Sequence, residues 1–490
     1  MKLKPLASLG RRKLRGLVVV GVMAAGVSGL VLQSTPAMAD PIEQYVAVGS
    51  DTVQDVYNQF SADFGTYTSP STGNFAYSSS LLASYNATNP VTQAVGDDIT
   101  PVDGSSFGVA AASQVASGGT GCAFVRPNGS GPGIAALEYS MGDHTVVGSL
   151  TAGDETPAQA DYPGPGCVDI ARSSSKPSGT VPSTDPSNET LQFIPFATDA
   201  VTGVTGPASG ASGSVTAGGV TAPYVNTTVT GADDFTQAEL TSLYDQCAVT
   251  PVTVNGTTVN YWPFDGKVGT AADQPANTTR IDLYVPQLGS GTEKFWAQET
   301  GGWTALTPGA CVFHNIVNGP LSDPKYGGSI TGGYSVEEHD GTAVSTDQYG
   351  YGPFSIAQYY AQSVNDIDPR YHAAVLHEIN GIAPYNSKGT LNTAFPFTRP
   401  VFSVVDQARI TNTVNVTSGS TVIGTKPGTD FDSADYDAGL NNMLVGSSSQ
   451  LCSDKGTIQY YGFALYSSGN PGTSAGDLCG EVIAGNSQNY

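Results

Sequence analysis

Three short stretches put hydroxyl and glycine residues where a strand gives way to a helix. They are Gly49-Ser50-Asp51-Thr52, Ser130-Gly131 within "RPNGSGPG" (126–133), and Gly289-Ser290-Gly291-Thr292 within "VPQLGSGTEKFWAQET" (285–300). A turn of this kind aims unpaired backbone N–H groups, at the positive end of the helix dipole, at whatever lies in front of it, and an anion is the natural guest. "CVDIARSSS" (167–175) is a shorter fourth instance, a strand ending in hydroxyl side chains. The hydroxyls of Ser173, Ser290 and Thr292 would add neutral donors. Arg172 is the cation at such a strand end, able to offer a planar donor fork to an oxyanion. Arg126 is a second candidate. Asp51 and Asp169 could each accept a proton from a ligand hydroxyl. The plainer roles stand beside these. Ser290 with Glu293 three residues on fits a capping box that only starts a helix. Asp51 could cap its helix, with Gln54 three residues later, Arg172 could sit in a surface salt bridge, and Asp169 could orient Arg172.

Other chemistry is poorly supplied. "DFDSADYD" (430–437) lacks the glycine a calcium loop needs for its sharp turn. "HEING" (377–381) lacks the second histidine of a zinc-protease motif, and His339 in "VEEHDGT" has no partner at ligand spacing. No metal, no cofactor and no catalytic step is expected.

These turns need elements to position them. Tyr45-Val46-Ala47-Val48 reads as a strand, and Val53, Val56, Tyr57 and Phe60 recur at helical spacing after the turn. Ile134, Leu137 and Met141 mark a helix face after "RPNGSGPG", where Pro132 suits the first helical turn. Ile281, Leu283 and Val285 alternate with Asp282 and Tyr284 before the third turn, and Phe295 and Trp296 follow it. Strand–turn–helix units in series predict an α/β architecture with largely parallel sheets, in which ligands sit beyond the carboxyl ends of the strands. The Gly/Ser/Thr-rich stretch 203–233 reads as an elaborated surface loop, and "FTQAELTSLYDQ" (235–246) as a helix burying Leu240 and Leu243.

The N-terminus predicts where these elements work. Lys2, Lys4, Arg11, Arg12, Lys13 and Arg15 precede an apolar run from Leu17 to Leu32, and Ala37-Met38-Ala39 supplies a small-residue cleavage site. Residues 1–39 are therefore expected to be a signal peptide cleaved after Ala39, with no cysteine there for a lipid anchor. Six of the 19 basic residues and none of the 42 acidic ones lie in that segment, so the remainder carries 13 bases against 42 acids, a formal charge of −29. Such a balance argues against nucleic acid or an anionic membrane as partner, and an anionic ligand must be drawn in by local dipoles. An even count of cysteines in an exported chain favours disulfides. Pairing neighbours in order (Cys122–Cys167, Cys247–Cys311, Cys452–Cys479) keeps each loop within one lobe.

The order of these pieces resembles the phosphate-type substrate-binding proteins of bacterial ABC importers, a branch of the type II periplasmic-binding-protein fold. The likeness runs from "YVAVGSDTVQDVYNQF" to "PFTRPVFSVV" (396–405). Gly49 to Thr52 match the family's first binding turn, Ser130 its second, and Ser290-Gly291-Thr292 its most specific motif. "VDIARSS" matches the strand ending in the family's ligand-contacting acid. "QFIPFATDAVTGV" (192–204) resembles the strand that crosses between lobes, and "RPVFSVV" the return crossing. There are departures. The family's Arg-x-Asp-Gly-Ser-Gly-Thr becomes Pro286-Gln287-Leu288 before Gly289, Ser174 stands at the acid's place, and Asp51 falls where a neutral hydroxyl is usual.

The resemblance implies a secreted, monomeric, two-lobed protein without enzymatic activity. Lobe one would comprise residues 40–202 and 399–490, and lobe two residues 203–398. A small oxyanion, phosphate foremost, would sit in the cleft between them, with an ABC permease as a further partner. Its site would draw on Ser50, Asp51, Thr52, Ser130, Gly131, Asp169, Arg172, Ser173, Ser290, Gly291 and Thr292. The alternatives are a surface protein that keeps the fold without the ligand, marked by an occluded or apolar-lined cleft, and a phosphatase-like hydrolase.

Overall fold

In a computed structural model of the 490-residue chain, the described residues are 42–64, 66–68, 78–88, 98–99, 102–103, 124–141, 167–175, 191–217, 220–229, 234–254, 256–265, 274–303, 311–322, 334–411, 414–418, 421–426, 438–467 and 478–485. Cys122 and the acidic stretch 430–437 lie outside them. In chain order, β1 (Ile42–Gly49) passes through a tight turn into α1 (Gln54–Asp63), followed by β2 (Ser78–Ser84), α2 (Ser130–Ser140), β3 (Ile170–Ser173) and the long β4 (Leu191–Thr205). After α3 (Gln237–Tyr244) come β5 (Thr250–Val254), β6 (Thr257–Pro263), β7 (Thr279–Tyr284) and α4 (Gly291–Glu299). The set closes with β8 (Gly350–Ser355), α5 (Ile356–Val364) and β9 (Thr398–Asp406).

The fold is mixed α/β, and these strands lie in one sheet in the order β5–β6–β7–β8–β4–β9–β3–β1–β2. Pairing is parallel for β3–β1–β2 and for β6–β7–β8, as strand–turn–helix units require. It is antiparallel at β8–β4, β4–β9 and β9–β3. The expectation of a largely parallel sheet therefore holds within each half, apart from the antiparallel β5–β6 hairpin at one edge, and fails in the middle. There, β4 carries the chain one way and β9 carries it back, so they must oppose each other. Leu191 to Ala200 of β4 pair with β9, and Val201 to Thr205 pair with β8.

Burial explains why β4 and β9 read as near-continuous apolar runs, since every residue of both strands is buried. Apolar packing divides along β9. Phe397 packs with Phe235, Leu243, Tyr261 and Trp296, whereas Val401 packs with Tyr45, Tyr57, Phe60 and Phe196. The stretch 203–233 is more regular than a surface loop. Its first residues complete β4, and Ser214–Ala217 pairs antiparallel with Val220–Pro223, burying Val215 and Ala222.

Two of the expected disulfides are present, Cys247–Cys311 and Cys452–Cys479. Cys167 is also disulfide-bonded. The Cys247–Cys311 bridge closes a sequence separation of 64 residues and ties the end of α3 to the strand beside β7. Loop-closure entropy assigns it about 4 kcal/mol. Replacing both cysteines by serine should lower the free energy of urea unfolding by about 2–4 kcal/mol. A loss below about 1 kcal/mol would show that the reduced, unfolded chain keeps this loop closed by other means.

Candidate functional site

The four turns meet. Ser50 N donates to Arg172 O (3.0 Å), joining the first turn to the end of β3, and Gly131 N donates to Gly289 O (3.2 Å), joining the second turn to the third. Gly129 has φ +116°, and a Cβ there would lie 2.7 Å from Gly289 O, so this approach requires glycine. A Cβ on Gly291 would meet Ser174 Oγ at 2.3 Å and Ser130 Oγ at 2.5 Å. The absent side chain is what lets these hydroxyls converge on the start of α4.

Ser174 Oγ is the first centre of the cluster, 3.1 Å from Ser50 Oγ, 3.3 Å from Thr52 Oγ1 and 3.3 Å from Ser130 Oγ. Thr52 Oγ1 is the second, with Thr292 Oγ1 at 3.5 Å, Glu338 Oε1 at 3.2 Å, His339 Nε2 at 2.8 Å and Arg399 Nη2 at 3.2 Å. All of these residues are buried. Ser355 N donates to His339 Nδ1 (3.3 Å), so Nε2 carries a proton and faces the cluster as a donor.

The cation of this cluster is Arg399. Its Nη2 donates to Thr292 Oγ1 (2.9 Å) and Thr52 Oγ1, while Nε and Nη2 hold Asp199 Oδ2 at 3.1 and 2.9 Å. Its Nη1 is buried without a hydrogen-bond partner. Arg399 also lines a cavity of about 50 Å³ with Ser174, Ser175, Lys294 and Phe295. Ser175 Oγ is a second buried hydroxyl there without a partner.

The remaining residues singled out in the sequence go elsewhere. Arg172 is fully buried, but its fork reaches Gly49 O (3.1 Å), Tyr85 O (2.6 Å) and Ser84 Oγ. It ties the first turn to the end of β2, and burial among these neutral groups pulls its pKa down to about 10. Arg126 donates to Asn86 O (2.8 Å). Asp169 accepts from Val46 N (2.7 Å) and pairs with Arg409, so it does not orient Arg172. Asp51 makes no cap. It pairs with Arg370 (3.0 Å), and burial still raises its pKa. Ser173 Oγ turns back on its own chain, accepting from Ser175 N at 3.1 Å.

Ser290 caps α4 by accepting from Thr292 N and Glu293 N, both at 3.1 Å. The reciprocal half of the expected capping box is missing. Ser290 N donates to Gln287 O, and the Glu293 carboxyl lies 3.4 Å from His314 Nε2. Glu338 was not among the residues singled out in the sequence, and His339 was read there only as a metal ligand without a partner; Asp199 and Arg399 were not singled out either. Their signal was a lone acid and a lone base within the two apolar crossing segments, "FATDAV" and "FTRPVF". Among the described residues no group of acids, histidines or cysteines is arranged to hold a metal.

No family model matches the sequence, and no curated protein matches it. Solved structures do. A putative phosphate ABC transporter substrate-binding protein with bound phosphate, from Clostridium perfringens, aligns with 86% of this chain and 99% of its own at 10% identity and a TM-score of 0.35. PstS from Borrelia burgdorferi aligns with 87% of this chain and 100% of its own, at 11% identity and a TM-score of 0.31. A possible phosphate binding protein from Planctomyces limnophilus aligns with 57% of this chain and 78% of its own, at 15% identity and a TM-score of 0.22. Likeness at this level assigns neither a ligand nor residue roles to this chain.

Two predictions follow from the geometry. Arg399→Ala leaves Asp199 buried and unpaired, and should cost about 3–5 kcal/mol in chemical unfolding. Arg399→Met combined with Asp199→Asn should recover most of that loss, because the amide can still accept from Ser355 Oγ and Ala357 N. Equal losses in the single and double variants would show that the pair is not the origin of the cost.

The second concerns pH. Burial pushes Asp55 from its ordinary 3.8 up to about 7 despite the attraction of Arg370. Between those values the folded state keeps a proton that the unfolded chain has released, so this contribution is lost as pH rises through about 7. Burial raises Glu293 in the same sense. Glu338 acts oppositely, but its contribution is lost only as pH falls through about 2. The melting temperature should fall from about pH 5 to about pH 8, and Asp55→Asn should flatten that slope. A slope unchanged by the substitution would assign it to other groups.

Proposed function

We propose that this chain is a secreted solute-binding protein that takes up a small oxyanion, phosphate foremost, among its strand–helix turns. The observation that carries this reading is Arg399, with a buried and unpartnered Nη1, in the lining of a small cavity beside the hydroxyls of Ser174 and Ser175. A buried donor without a partner is costly, and an oxyanion would satisfy it. The hydroxyls of Ser50 and Ser130 lie 3.1 and 3.3 Å from Ser174 Oγ, and those of Thr52 and Thr292 accept from Arg399 Nη2, next to the N-termini of α2 and α4.

In this reading Arg399 supplies the charge first assigned to Arg172, and Ser174 takes the place of Ser173 among the hydroxyl donors. Residues 40–202 and 399–490 form lobe one and residues 203–398 lobe two, with β4 and β9 as the hinge. Ligand binding closes the lobes, because the closed form gains contacts to both sides. Residues 1–39 direct export, and an ABC permease is the receiving partner. Among the described residues no helix is long and apolar enough to cross a membrane. One observation favours a second reading. The hydroxyl cluster is wholly buried, as in a surface protein that keeps the fold without the ligand.

Calorimetric titration separates the two. The protein is denatured with its disulfides intact, refolded to strip resident ligand, and titrated with phosphate and then sulfate. Saturable micromolar or tighter binding of phosphate is expected, lost in the variant carrying both Arg399→Met and Asp199→Asn. No heat and no shift in melting temperature would sink the oxyanion reading and leave the structural one.

A further inference from the structure

The oxyanion site already contains an anion belonging to the chain. Glu338 is buried, and its Oε1 accepts from Thr292 N (3.1 Å), the backbone donor in the first turn of α4, and from Thr52 Oγ1 (3.2 Å). His339 Nε2 lies 3.4 Å from the same oxygen. Thr52 and Thr292 are the two hydroxyls that Arg399 holds. Glu338 therefore uses the donors at a helix N-terminus that an external oxyanion would use. Burial alone would raise its pKa, but His339, Thr292 and Arg399 outweigh burial and hold it at about 2. It is a carboxylate at any ordinary pH.

The segment bearing Glu338 is fastened into place rather than packed there by apolar contact alone. Gln287 N donates to Val336 O (3.0 Å), and Glu338 N donates to Gln287 Oε1 (3.1 Å). Gln287 Nε2 donates to Asn128 Oδ1 (2.9 Å), and Asn128 Nδ2 donates to Glu337 Oε2 (2.9 Å). Side chains from the second and third turns thus grip residues 336–338. His339 has φ +56°, a left-handed conformation that an L-residue other than glycine adopts at a cost. Gripped side chains, a strained residue and a carboxylate on the donors describe a segment held in a position it would not take by itself.

We propose that residues 336–339 are a built-in plug, with Glu338 as an internal ligand that an incoming oxyanion must expel. The proposal rests on the oxyanion reading above and adds a threshold to it. A competitor must outdo one well-placed carboxylate, which favours a dianion such as hydrogen phosphate over chloride, nitrate or acetate. The plug also keeps the α4 N-terminus compensated when no solute is bound.

The test compares the wild-type protein with Glu338→Gln, which keeps shape and removes charge, by calorimetric titration of inorganic phosphate. At least tenfold tighter binding to the variant is expected. Amide hydrogen exchange supplies the second measurement and needs no variant. Adding phosphate to the wild type should speed exchange across residues 336–341 as the segment leaves. If Glu338→Gln binds phosphate no better or more weakly, or if phosphate slows exchange in 336–341, the plug is refuted and the oxyanion site stands. If neither protein binds phosphate, the oxyanion reading fails and the plug fails with it. Should the variant not fold, the exchange result on the wild type decides.

Discussion

The central constraint is the ion pair between Arg399 and Asp199. They are directly opposed in the β4–β9 register, both are buried, and neither could keep its charge there alone. The pairing places a guanidinium in the middle of the sheet and orients it, since two of its nitrogens are committed to Asp199 Oδ2. Asp199 Oδ1 accepts from Ser355 Oγ and Ala357 N, which fastens the start of α5 to the same point. Arg399 Nη2 then reaches Thr52 after β1 and Thr292 on α4. Elements from every part of the sheet are indexed to one pair of charges. The remaining nitrogen, Nη1, is buried without a hydrogen-bond partner.

The electrostatics also answer how an acidic chain could attract an anion. The whole molecule carries a formal charge of −23, so attraction must come from short-range groups shielded from that field. Helix N-termini, a buried guanidinium and an imidazole N–H are such groups. The same logic explains why Glu338 is so stable as a carboxylate within them. The third turn lacks the arginine and acid that its resemblance leads one to expect. The cation beside these turns comes from β9 instead, and Gln287, standing in the altered stretch, grips the segment that brings Glu338.

Much of the fold was legible in the sequence because the relevant forces are local. An apolar run, a Gly/Ser turn and a helical repeat are set by residues a few positions apart, and all three turn-to-helix units formed where they were read. Ser50, Thr52, Ser130 and Thr292 were picked out for their place in those turns, and the structure brings them together. Arg172 was picked for nearness in sequence, yet the carbonyls of Gly49 and Tyr85 and the hydroxyl of Ser84 take both terminal nitrogens of its fork at the ends of β1 and β2. The antiparallel middle of the sheet was missed for a related reason. Strand direction depends on how distant segments are threaded, and residue pattern does not record it.

By itself, then, the sequence determined the turns, the helices they start, the apolar strands, and the presence of hydroxyl donors at the strand ends. Tertiary structure alone decided which charges face those donors. Arg399 lies 200 positions from Asp199 and 347 from Thr52, and Glu338 lies 286 from Thr52. A buried charge takes its partners from whatever the packed chain places within a few ångströms, and separations of that size leave no trace in local composition.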